Sequence, residues 1–577
     1  MLGKYNDTTF YNSVTERGFS YKDITREVEE IKIMKKFWKK LACFIVLLAA
    51  AFLYYYITLP AINIHSVGFW WFILVLVLAL AALVAIRRLK KSGSIRVGRN
   101  GIDFRSGSIG IAKYLFWLAG ILFVVFVAGG ILSSPIVNAK KYQALMDVKE
   151  CNFVEDIQEV DFNTIPLLDR GSASILGNRK MGSMVDMVSQ FEVAEDYTQI
   201  NYKGTPVRVT PLTYASPIKW LTNHKNGIPA YIRIDMTTQN TECVKLEQGI
   251  HYSESEYFNH YINRHLRFRY PTYIFSEQLF FEIDDDGVPY WVCPVKKYSI
   301  GLFGGQTVGR VVLCNAITGE CEDYAIDEVP QWIDKAYQAE LLMALYDYHG
   351  TLKHGFFNSV LGQRDCLQTT NGYNYIAMDD DVWVYSGVTS VSGDQSNVGF
   401  VLMNQRTMET RFYKVEGATE DSAMSSAEGQ VQNLKYTATF PLLLNISNEP
   451  TYFMALKDDA GLVKKYAMVN IQKYQWVAIG DTVKDCKKAY NALLGTNGIK
   501  ATDTSGAKEA KGKITSCTQV VIEGNSHIYL TVQGYDDIFD VDLTNEELIR
   551  AVTWKEEDAV RFSYLEGDVL SAVTALQ

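Results

Sequence analysis

The residues with the clearest chemical potential lie in the middle third of this sequence. In HYINRHLRFRYP, the cationic and imidazole side chains of His260, Arg264, His265, Arg267 and Arg269 alternate with aromatics. Guanidinium and imidazole donors in such density suit an anionic ligand, a phosphate or a cell-wall carboxylate. The competing assignment is pairing with the carboxylates around them. Asp284, Asp285 and Asp286, followed by Gly287, offer hard oxygen ligands for a cation such as calcium. The full spacing of a calcium loop is missing, and a turn ahead of Val288-Pro289-Tyr290 accounts for the same residues. Cys314 and Cys321 flank Asn315-Ala316-Ile317-Thr318-Gly319-Glu320, a segment with the composition of a hairpin turn, which makes them the best candidate disulfide.

Other chemistry is hard to find. No Cys-x-x-Cys pair occurs, so neither a zinc knuckle nor a thioredoxin-like motif is suggested. His-Glu-x-x-His, Gly-x-Ser-x-Gly and a phosphate-binding P-loop are missing. Gly304–Gly309 is rich in glycine but lacks the Lys-Ser/Thr that would follow, and it reads as a loop between strands. His349 and His354 flank another glycine-bearing loop without carboxylate support. No cofactor is expected.

These residues need a frame, and the first part of the frame is a membrane. Three apolar stretches, 41–62, 68–86 and 114–132, each approach the ~20 residues that a helix needs to cross a bilayer core. Lys35, Lys36, Lys39 and Lys40 precede the first, and eight Lys or Arg fill the 87–113 connection between the second and third. The short 63–67 turn has none. Positive-inside reasoning puts the N-terminus and the 87–113 loop in the cytoplasm, and everything after Pro135 outside. Trp70, Trp71 and Trp117 suit the interface. The polar stretch ahead of the first span is longer than a signal-peptide n-region, so an uncleaved anchor is expected, with 1–40 as a cytoplasmic segment whose Ser20–Lys40 part is helical.

Charge divides at the same place. The first 139 residues carry a net +10, which leaves −19 for the remainder of a chain that is −9 overall. An acidic body speaks against nucleic acid as a partner. The expected partners are the lipid bilayer and an envelope protein, and self-association into a homo-oligomer is also open.

The body after a lead-in at 134–196 alternates apolar and polar residues and is rich in β-branched and aromatic types, which predicts strands through 197–494. Val311–Tyr324 (VVLCNAITGECEDY) and Phe400–Tyr413 (FVLMNQRTMETRFY) share six of fourteen residues, with Asn315/Asn404, Thr318/Thr407 and Glu320/Glu409 in the turn. Tyr231–Val244 is a weaker third copy, and Phe453–Tyr466 a fourth by shape. Helices are expected after some copies, at Pro330–Tyr348 and Thr482–Leu494. Strand-turn-strand units with adjacent helices resemble PepSY-type modules, which implies small extracytoplasmic α+β units associated with inhibiting or regulating envelope enzymes. Residues 495–511 have the composition of a linker. Beyond it, 512–577 reads as five strands with a short helix at Asn545–Arg550 and resembles an OB-fold barrel.

The fold class expected is therefore a membrane-anchored α+β protein: three transmembrane helices, repeated hairpin and helix units, and a small five-stranded OB-like barrel. The function expected is a multi-pass, membrane-tethered extracytoplasmic binding or scaffold module, bacterial in style, that regulates or assembles an envelope component. The alternative is an envelope enzyme acting on glycan or peptide with paired carboxylates as acid and base.

Overall fold

Three long helices open the chain: Tyr21–Thr58, Val67–Lys91 and Ala112–Leu132. The computed structural model describes residues 21–91, 95–98, 101–104, 110–157, 165–166, 168–378, 380–391, 396–499, 507–522, 525–545, 547–567 and 569–577. Expectations for residues 1–20, for parts of the 87–113 connection and for 500–506 lie outside the described residues. Each long helix contains a stretch of membrane-crossing length and composition, Glu30–Thr58, Val67–Leu89 and Ala112–Leu132. Their surfaces are inverted relative to a soluble helix: Phe44, Val46, Phe52 and Val124 are all more than half exposed. The first helix stops at Thr58, short of the expected Ile62. Pro60 cannot continue it, and Leu59 turns to a positive φ of 46°. The expected cytoplasmic helix is continuous with this first span.

From Val125 onward the chain forms one compact unit. Within it, four antiparallel sheets follow one another along the sequence. The first carries Thr198–Tyr202, Thr205–Tyr214, Ile228–Asp235 and Thr241–Ile250 in hairpin order, with Phe191–Val193 also on Thr205–Tyr214. The second is Phe280–Ile283, Pro289–Ile300, Gly304–Asn315 and Cys321–Ala325. The third is centred on Asp381–Ser390, Gly399–Asn404 and Thr410–Tyr413. Lys149–Cys151 from the lead-in joins its edge in parallel. The fourth is centred on Glu449–Lys457, Val463–Asn470 and Val477–Gly480. Helices Ala339–Thr351, Glu420–Gln430 and Val483–Thr496 follow the second, third and fourth sheets.

Alternation along the strands explains why VVLC and FVLM are unbroken apolar runs. In the second sheet, Trp291, Cys293, Val312 and Cys314 join one core with the first sheet, while Val292, Val311 and Leu313 join another. In the third, Val384, Val401 and Met403 share that second core, while Trp383, Tyr385, Phe400 and Leu402 turn to a core with the fourth sheet. A strand covered on both faces must be apolar at every position. Fully burying each such side chain contributes about 1.5–3 kcal/mol.

One turn is built three times. Asp235, Asn315 and Asn404 each accept, through Oδ1, the backbone N–H groups two and three residues ahead, at 2.8–2.9 Å. Thr238, Thr318 and Thr407 each accept the N–H two residues further on. Gln239, Gly319 and Met408 each take a positive φ. The hairpin at 458–462 uses a shorter turn, with Asp458 Oδ1 accepting from Ala460 and Leu462 and Gly461 left-handed.

Gly304–Gly309 departs from its expected loop and is the first half of the strand Gly304–Asn315. A Cβ at Gly304 would meet Ser133 O at 2.1 Å and the Tyr142 hydroxyl at 2.4 Å, so glycine is there for close approach. At the C-terminal end, Lys508–Ile522, Asn525–Val532, Phe539–Asp542, Ala559–Leu565 and Ser571–Leu576 pair in a ring that closes on itself. Phe539 and Phe562 sit at its centre, 4.9 Å apart. The helical turn falls at Ile549–Thr553 instead of 545–550. The helix at 483–496 and the strand from Lys508 trim the expected linker at both ends.

A buried carboxyl gives the unit a pH signature. Glu282 is fully buried and accepts the backbone N–H groups of Asp334 and Lys335, both at 3.0 Å. Burial pushes its pKa up from 4.5 to about 7, against the pull of those N–H groups and of Lys335. The folded state therefore holds a proton that the unfolded chain has already released. The contribution is fully present below about pH 4.5 and is lost as pH rises through about 7, up to about 3 kcal/mol. The Tm of the purified protein should fall, relative to that of Glu282→Gln, between pH 5 and pH 8. Parallel pH profiles for the two proteins would refute the assignment.

Candidate thiol and metal site

Cys314 is next to last in one strand of the second sheet and Cys321 begins the next, directly opposite in register. The adjacent Asn315 N–H bonds Glu320 O at 2.9 Å, which makes the cysteines a non-hydrogen-bonded pair, the type with the closer side chains. Both are free thiols here. Cys314 is fully buried and Cys321 half-buried.

The helix Ile262–Arg269 supplies the third group. His265 Nε2 lies 2.8 Å from Gly319 O and 3.7 Å from Cys321 Sγ. Ligand atoms of His265, Cys314 and Cys321 all lie within 4.8 Å of one another. Tyr252 forms the wall, with its ring 4.5 Å from the His265 ring and stacked on His260 at 4.9 Å. Trp291 Nε1 fixes Tyr252 by donating to its carbonyl at 2.8 Å. Gly319 is required twice over: its φ is 75°, and a Cβ would meet the Tyr252 ring at 2.3 Å.

The two thiols are electrostatically unequal. The hydrogen bond from Cys314, then the His265 imidazole, bring Cys321 down to about 5. Cys314 is pushed far up by the same bond and by burial. The bond to Cys321 raises His265. The arrangement favours a Cys321 thiolate beside a charged imidazole, with Cys314 as proton donor. Such a site can do two things. It can oxidise to a cross-strand disulfide, losing two electrons and two protons to an oxidant. It can also present two sulfurs and an imidazole to a soft or borderline metal such as zinc. The metal would require Cys314 to shed its proton, which burial opposes.

Only one of the five expected ligand-binding residues thus meets the cysteines directly. Arg267 is buried and reaches forward past the end of its helix, donating to the carbonyls of Tyr270, Pro271 and Tyr273. Arg264 donates to Phe258 O at 2.6 Å, and His260 Nδ1 lies 3.0 Å from His251 O. Arg269 adds positive charge near both thiols. The Asp284–Asp286 run builds the same short turn as Asp458: Asp284 Oδ1 accepts the N–H of Asp286 and of Val288, and Gly287 takes a positive φ. Tyr252 carries no signal in the sequence, because an isolated aromatic does not show what it will face.

No protein-family model matches this sequence, and no curated protein is significantly similar to it. The site is therefore read from its own geometry.

Proposed function

We propose that this chain is a membrane-tethered binding or scaffold module whose acidic body stands outside the cytoplasm and regulates or assembles an envelope component. The observation that carries it is the asymmetry of the chain: three membrane-length helices with cationic flanks come first, and the four large sheets and the C-terminal ring follow. Strand-turn-strand units sharing one turn chemistry support an internal duplication, in the manner of PepSY-like repeats, and repeated sheets give extended faces for a partner. The C-terminal ring supports an OB-like barrel: its first strand pairs with the second and fourth, its third runs parallel to its fifth, and a helical turn precedes the fourth. In an oxidising compartment, Cys314 and Cys321 would be joined.

Protease added to intact cells, with any outer wall made permeable, should digest residues 140–577 and leave the three spans protected. Non-reducing peptide mapping of the same cells should recover the 314–321 pair as a disulfide. A body that stays protected would put it in the cytoplasm and overturn the proposal.

A further inference from the structure

The first three sheets and a connection within the fourth border a cavity of about 320 Å³, within the size range of small-ligand pockets. Arg208 reaches it from the first sheet and Lys335 from the segment after the second. Tyr375 and, just before its strand, Tyr373 come from the third, and Phe440 lies between the first two strands of the fourth.

The two cations are unusually placed. Arg208 is 6% exposed, and its guanidinium makes two long hydrogen bonds, to Leu168 O at 3.4 Å and Gln199 Oε1 at 3.3 Å. Three of its five N–H donors are left over. Lys335 is also 6% exposed, with its ammonium 4.5 Å from the Tyr375 ring and 5.6 Å from that of Phe280. Among the described residues no carboxylate comes within ion-pair distance of either. Glu282 and Asp334 are the acids Lys335 senses, and both hold protons more tightly than usual because they are buried. The carboxylates that line the cavity have closer partners: Asp169, whose charge also reaches Arg208, is held by Lys457 at 2.6 Å, Asp196 by Arg170, and Glu340 by the Tyr373 hydroxyl at 2.6 Å. Gln405 Oε1, on the same wall, is buried and has no partner.

A buried charge without a counter-charge in contact is costly, and this cavity is lined by two. Burial already pulls Arg208 down to about 10. From this geometry we infer that the cavity is a binding site for a small organic anion, a carboxylate or a phosphoryl group, held between Arg208 and Lys335 with its apolar side against Tyr375 and Phe440. Guanidinium supplies the fork for two oxygens and ammonium the point charge for a third contact.

The test is thermal unfolding of the full-length protein in detergent with 10 mM sodium phosphate or sodium acetate, against sodium chloride of equal ionic strength. At least one of the two anions should raise Tm by about 2–4 °C over chloride. A response to phosphate alone assigns a phosphoryl head, and a response to acetate alone a carboxylate. Lys335→Met should lose most of the shift, as should Arg208→Gln if that variant folds. Lys335→Met removes only the ammonium and keeps the stem, so it remains informative if the arginine variant does not fold. No shift with either anion, or an undiminished shift in Lys335→Met, would overturn the inference.

Discussion

In the reduced protein at pH 6, iodoacetamide should modify Cys321 roughly tenfold faster than an ordinary exposed cysteine. A thiol near 5 is almost wholly ionised at that pH, against well under one per cent of a thiol near 8.5. The lower basicity of the thiolate gives back part of the gain, and roughly tenfold remains. The shape of the profile is the stronger test. The Cys321 rate should be nearly flat from pH 6 to pH 8, while a normal thiol climbs about tenfold per unit. His265→Ala and Cys314→Ala should each restore part of the climb, with the larger effect from Cys314, because its hydrogen bond is the leading cause of the shift. A Cys321 rate that climbs in the wild type like that of any free cysteine would remove the basis for an activated thiol.

Arg406→Ala should cost about 3–5 kcal/mol, the usual consequence of stranding a buried charge. Arg406 grips Asp381 with two parallel bonds, Nε to Oδ1 and an Nη to Oδ2, both 2.7 Å. Asn404 Nδ2 donates to the same Oδ2 at 2.8 Å. The Asp381 side chain is 6% exposed, so water cannot replace the lost guanidinium. A fall in Tm of about 3–5 °C is expected for a unit of this size. Asp381→Asn in the same background should recover much of it by removing the stranded charge. A single variant within 1 kcal/mol of wild type would show that the pair is screened like a surface salt bridge.

These two predictions differ in how far sequence reasoning could reach. The cysteine pair was visible, because two thiols around an Asn-x-x-Thr-Gly turn fall opposite each other in any hairpin. His265 was visible only as part of a basic run; nothing local told it apart from Arg267, which binds the carbonyls just beyond its own helix. Asp284–Asp286 looked like a metal loop and also like a turn, and Asp284 spends its Oδ1 on two backbone N–H groups. The glycines of 304–309 suggested a loop, because sequence cannot show that Ser133 and Tyr142 press against a strand there. Arg208 and Lys335 gave no signal. They lie far apart in the chain, one in the first sheet and the other in the segment after the second, and their shared cavity exists only once those elements pack.

What the chain determined unaided is what short-range physics can fix. Apolar length makes the three helices, since a backbone surrounded by apolar side chains must satisfy its own hydrogen bonds. Asp, Asn, Thr and Gly make the turns, since their side chains and φ preferences act over a few residues. Packing decided the rest. Which face of a strand meets which core, which cation ends beside which ring, and whether a thiol finds an imidazole all depend on contacts between segments distant in sequence. Those contacts stabilise only together, and no local pattern of residues encodes them.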